Sequence, residues 1–292
     1  MKKKPYEYAK LTWPEVNEAV KAGKVAIIPV GMIEDHGHHL PIDTDLVLAN
    51  AMVNKLAERI PDEIVVLPAQ PYGYSPHHID GPGVITIHWD TYINYLKDIC
   101  DCLCYHGFRK IIMINGHGSN RPVMQMAARL SLVDNPDCHV ASLSWFELKG
   151  VQEAFKKIRG SEYCSHADEA ETSVYLAADP DKVYMDKAVV KEYDERVFKH
   201  FGQGDLFNNP PAWHANSVQL NEYWSTVTKT GVFGDPSIAS AEKGKVLLDA
   251  FATEMVEIVR EFKARKIVPR DPRQLPEVTA RNARMGFFKN IK

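Results

Sequence analysis

Long apolar runs are missing from this chain, and no stretch approaches the length of a bilayer span, so a membrane partner is not expected. The first ten residues, MKKKPYEYAK, lack the apolar core of a signal peptide, which makes the cytoplasm the expected location. An excess of one charge is missing too. With 35 basic and 38 acidic residues the formal net charge is −3, so no nucleic-acid or membrane surface is expected. Cysteine is scarce, with five in all, and three of them crowd into Cys100-Asp101-Cys102-Leu103-Cys104. That spacing is not the two-residue gap of a zinc ribbon, and cytosolic disulfides are rare, so these read as ordinary thiols. Internal repeats and linker-like stretches are also wanting, and one domain over residues 1–292 is expected.

What is present is a globular composition, 45% hydrophobic and 25% charged, long enough to bury a large core. Residues 11–22 read as a helix capped by Thr12 with Pro14 in its first turn, and 24–30 as a buried strand. A helix over 43–59, with Thr44 as a possible cap, leads to a strand at 64–67. A helix over 90–106 precedes a strand at 110–114, and a helix over 122–132 precedes a strand at 139–144. This alternation is that of an α/β fold with a mostly parallel sheet covered on both faces. Ligands of such sheets lie at the carboxyl ends of the strands. Helices are further expected over 151–157, over 165–178 with Ser165 as its cap, and over 236–266. The long irregular segments 68–89 and 201–234 fit a site-lining loop and a lid or subunit contact.

Three motifs carry chemistry. In Val25–Asp45 a strand breaks at Gly31 and then delivers Glu34, His36 and Asp45. Glu34 and His36 are two apart, so in an extended segment both leave one face, as converging metal ligands must. Taken alone, such residues also suit the solvated start of a loop. The second motif, Asn115-Gly116-His117-Gly118-Ser119-Asn120, follows a strand, and its glycines let the backbone turn sharply beside a bound group. The third is His166-Ala167-Asp168-Glu169-Ala170-Glu171-Thr172-Ser173. On a helix His166 and Glu169 share a face, whereas Glu171 lies about 200° round from Glu169. Alone, these acids would merely stabilise a helix start.

Together, in this order, the motifs resemble the creatininase (creatinine amidohydrolase) family. A late segment, Gly231 to Gly244 (GVFGDPSIASAEKG), is similar as well. The resemblance implies a three-layer α/β/α domain, a homohexamer and two divalent metal ions per subunit. It implies Glu34 and His117 on one metal, His36 on the other and Asp45 between them. Creatininase proper takes the last carboxylate from the position of Ser119, and relatives without it use the glutamate of the third motif, so the resemblance implies Glu169 on the second metal. The mixed nitrogen and oxygen donors suit zinc, manganese or iron alike, and zinc is the first expectation. A bridging hydroxide would attack a carbonyl carbon, His166 would protonate the leaving group or steady the oxyanion, and Glu171 would orient it or shuttle a proton.

Departures from the family bear on the substrate. Asp35 replaces a common glutamine, Asp168 a glycine, His38 a frequent proline, and Glu162 stands where creatininase proper has a tryptophan that closes over creatinine. His39 matches a family position beside the metals. With Tyr72, Tyr74, His77, His78 and Trp213 from the long loops, it is the expected lining for a small hydroxylated or heterocyclic substrate. Amide hydrolysis of a small cyclic or amide-like substrate is the first expectation. The alternatives are ring-opening C–C hydrolysis of an oxidised inositol, and a catalytically idle metal-binding assembly protein.

Overall fold

The computed structural model describes residues 5–190, 200, 205–207, 218, 220–271 and 273, so Trp213 lies outside the described residues. Four strands form the central sheet: β1 (Val25–Val30), β2 (Ile64–Val66), β3 (Lys110–Asn115) and β4 (His139–Ser144). Their spatial order is β2-β1-β3-β4 and every pairing is parallel. Every residue of β1 and β3 is buried, as a sheet covered on both faces requires.

Alternate strand residues enter two separate cores. Val25, Ile27, Ile112 and Ile114 pack toward α2 (Thr44–Arg59), α5 (Lys149–Ile158), α6 (Glu169–Ala178) and α7 (Ala241–Ala264). Ala26, Ile28, Val30, Ile111 and Met113 pack toward α1 (Trp13–Lys21), α3 (Trp89–Tyr105) and α4 (Asn120–Asp134). Helices therefore cover both faces. The step from β1 outward to β2 and back across to β3 makes the crevice between the β1 and β3 ends a switch point.

Local chemistry moves several expected boundaries. Thr12 does cap α1, and Glu15 reaches back to its backbone nitrogen at 2.7 Å. Thr44 is not a cap: it is the first residue of α2, and its hydroxyl donates to the Pro41 carbonyl at 2.6 Å. The expected helix over 236–266 splits, with one tight turn at Pro236–Ile238 before Ser240 caps α7.

The largest change concerns residues 165–178. Cys164–His166 is not helical but a short strand, β5, paired antiparallel with β6 (Phe233–Gly234). The helix starts only at Glu169 because Asp168, not Ser165, is the cap. The Asp168 carboxylate accepts from the backbone nitrogens of Ala170 (2.8 Å) and Glu171 (3.0 Å). Between strand and helix, Ala167 has φ 49°, left-handed backbone that is strained for alanine. His166 and Glu169 consequently do not share a helix face.

Candidate metal centre

Two glycines let the strand ends meet the start of α2. A Cβ on Gly31 would sit 2.6 Å from the Leu46 Cα, and one on Gly116 would overlap the backbone oxygen of Asp45. With both positions bare, Asp45 in the first turn of α2 lies directly over the switch point. The Asn115 side chain shapes the loop after β3, accepting from the His117 backbone nitrogen at 3.0 Å and donating to the Ser144 hydroxyl at 3.1 Å.

Four expected residues converge. Glu34 Oε1 and Asp45 Oδ2 lie 3.0 Å and 3.2 Å from His117 Nδ1. On the other side of Asp45, Oδ1 is 3.3 Å from His36 Nε2, which is 3.8 Å from Glu171 Oε2. One carboxylate thus faces two three-residue groups, Glu34/Asp45/His117 and His36/Asp45/Glu171, either of which could hold a metal ion. All five side chains are essentially dry.

The expectation for Glu169 does not hold in the structure. Its carboxylate is turned away and accepts from the nitrogens of Gly160 (3.0 Å) and Ser161 (2.8 Å), from the Ser161 hydroxyl (2.7 Å) and from the Lys243 ammonium. The carboxylate beside His36 is instead that of Glu171. The left-handed turn at Ala167 lets Glu171 Oε2 curl back and accept the Ala167 N–H at 2.6 Å while facing His36. The two acids sit on opposite sides of α6, as their spacing requires.

These residues fit cations. Glu34 Oε1, Asp45 Oδ2, His36 Nε2 and His117 Nε2 are buried, and among the described residues none has a hydrogen-bond partner in good geometry. Buried polar atoms are seldom left so, and the donor set is the carboxylate and imidazole mixture that divalent ions take. The electrostatics agree. Burial opposes charge on His36 and His117, yet the facing carboxylates push both up to about 10. Burial also works against the Glu34 and Asp45 anions, but the surrounding histidines hold Glu34 well below, and His36 helps hold Asp45 below, the usual carboxylate range. Glu171 goes the other way: burial, together with Asp168 and Asp45, raises it well above that range. Without cations, protons supply the positive charge the cluster demands.

Around this centre stands a ring of histidines. His166 Nε2–H donates to the Asp35 carbonyl at 2.6 Å, which leaves Nδ1 as the bare nitrogen, 3.8 Å from Glu34 Oε1. Burial, with His36 and His78 nearby, lowers His166 to about 3, so it is neutral at pH 7. His77 and His78 are both at the centre: His77 Nε2 is 3.2 Å from the Ser119 hydroxyl, and the His78 ring is 4.7 Å from that of His166. His39 is buried behind it, paired with the Thr172 hydroxyl at 2.9 Å, whereas His38 is exposed.

The expected tyrosines do not take part. Tyr72 is exposed, and Tyr74 packs against the core on the α3 and α4 side. Among the described residues, the aromatic residue that closes the centre is Trp224, which sequence reasoning did not single out as a site residue. Its indole stacks on His78 at 4.8 Å and meets His166 edge-on at 5.3 Å. Only its place in a long aromatic loop hinted at this.

Carboxylates and imidazoles converging at the switch point of a parallel sheet define an α/β protein with the donor set of a metallohydrolase. The model of the creatininase family, described as creatinine amidohydrolase, matches residues 9–259. The chain belongs to the creatininase family and is a hydrolase of it. It is 31% identical over 278 residues to the 3-dehydro-scyllo-inosose hydrolase of Thermotoga maritima, covering 89% of this chain and 85% of that one. It is 27% identical over 266 residues to the creatinine amidohydrolase of Pseudomonas putida, covering 86% and 95%. A manganese creatininase structure superposes with a TM-score of 0.73 at 27% identity, covering 89% of this chain and 99% of that one.

Proposed function

We propose that this chain is a metal-dependent hydrolase that adds water to the carbonyl carbon of a small ring substrate. The observation that carries this reading is Asp45, whose two oxygens face two separate donor groups. Glu34, Asp45 and His117 would hold one divalent ion, and His36, Asp45 and Glu171 the other. Zinc or manganese fits this set, with iron as a further candidate. Ions held there would acidify water and polarise a carbonyl oxygen.

The chain's own residues do the rest. Ser75 donates to Glu34 Oε2 at 2.7 Å, so that carboxylate is fixed with Oε1 aimed inward. His166, neutral and with its Nδ1 bare, can take a proton from the attacking water and return it to the departing atom. Of the two residues expected to act on protons, His166 keeps that role and Glu171 becomes a ligand. Trp224 and His78 cover the centre and exclude bulk water.

Cleavage of a cyclic or amide-like C–N bond is the first reading. Ring opening of a polyhydroxylated diketone by C–C hydrolysis is the second, favoured by the 31% identity to an inosose hydrolase. The test is a panel of creatinine, other lactams, formamides and keto-inositols offered to protein loaded with zinc or manganese, scored by the mass of one added water. Turnover in one class selects the reading; no turnover by any loaded sample leaves the idle assembly protein. A homohexamer in the cytoplasm belongs to the same reading, and light scattering of the purified protein checks the assembly.

A further inference from the structure

Asp35 lies between Glu34 and His36, so in an extended segment its side chain leaves the opposite face. It does not point idly into solvent. A Cβ on Gly81 would collide with its Oδ1 and one on Gly231 with its Oδ2, so two glycines from two loops make a seat for this carboxylate. From there Oδ1 lies 3.3 Å from His78 Nδ1. The same two loops are tied to each other by the Ser225 hydroxyl, which donates to Asp80, and by the stack of Trp224 on His78 at 18°. His78 is therefore held at its edge by Asp35 and on its face by Trp224, with His166 4.7 Å away.

A carboxylate can only accept, so His78 carries a hydrogen on Nδ1, and in the neutral imidazole the lone pair then lies on Nε2. A glutamine at this position would not force this, because an amide can donate as well as accept. Resting on the hydrolase reading above, we propose that Asp35 is a positioning residue that sets His78 as a hydrogen-bond acceptor for a hydroxyl or N–H on the ring substrate. Asp35 thereby selects for substrates that carry such a donor near the reacting carbonyl, as a polyhydroxylated cyclic ketone does.

The experiment uses metal-loaded full-length protein in wild-type, Asp35→Asn, His78→Gln and doubly substituted forms. Long-range nitrogen–proton spectra should show His78 with Nδ1–H in wild type and a mixture of tautomers in Asp35→Asn. Metal content should be unchanged by Asp35→Asn. Affinity for 2-keto-myo-inositol should fall about tenfold in each single variant and no further in the double, since one hydrogen bond is lost in all three. An unaltered tautomer, additive losses or loss of metal from Asp35→Asn each overturns the proposal. If wild type keeps Nδ1–H on His78 but does not bind the keto-inositol, the acceptor role fails while the metal centre and its hydrolase reading stand.

Discussion

Exchanging Glu171 or Glu169 for glutamine should give two opposite phenotypes, although the residues are only two apart in α6. Burial raises Glu171 well above the carboxylate range, which favours its uncharged form in the metal-free protein, and glutamine is the near-isostere of that form. Glutamine can also keep the acceptor for the Ala167 nitrogen. Glu171→Gln should therefore cost the metal-free fold little. Once a cation is bound, however, the variant lacks one buried negative charge, worth about 3–5 kcal/mol, or roughly 10²- to 10⁴-fold in metal affinity. Glu169 accepts from two backbone nitrogens, a hydroxyl and Lys243. Its glutamine variant turns an amide donor toward those donors, at a cost of about 3 kcal/mol. A chain of this length has an unfolding entropy near ~0.6 kcal/mol/K, so Tm should drop by ~5 °C with metal content unchanged. Elemental analysis and thermal melts with and without chelator read both effects. Loss of metal from Glu169→Gln together with its retention in Glu171→Gln would refute the placement of these side chains.

Asp45→Asn should release both ions, since each donor group loses a charged oxygen; chelator competition checks it, and retention of either ion at wild-type affinity counts against the shared carboxylate. Metal-free protein should lose stability as pH rises from about 6.5 to about 10. His36 and His117 are raised to about 10 in the fold, so their contribution is complete below the unfolded value and vanishes through that window. Melts in chelator should fall over this range while metal-loaded melts fall less, because cations replace the protons; parallel slopes would contradict this. Gly244→Ala would drive a methyl into the Ser173 carbonyl where α6 and α7 cross, costing about 1–3 kcal/mol, and denaturant titration should find it. A wild-type midpoint for that variant would mean the helices can part freely.

Residue order and type were enough to establish the parallel α/β sheet, because each buried strand is bounded by helices of clear period and the chemistry-bearing residues follow strand ends. Glu34, His36, Asp45 and His117 were nominated as a set through the resemblance to the creatininase family, because position past a strand end alone also suits the start of a loop. Glu169 and Glu171 could not be told apart in that way. Which of them faces the centre depends on where α6 begins, and that is decided by the Asp168 cap, by the pairing of β5 with β6 some seventy residues on, and by the strained turn at Ala167. Trp224 and the seat of Asp35 likewise exist only once distant loops are brought together. Local pattern is encoded every few residues along the chain, whereas the direction in which a side chain points near a helix start depends on long-range packing that no local period records.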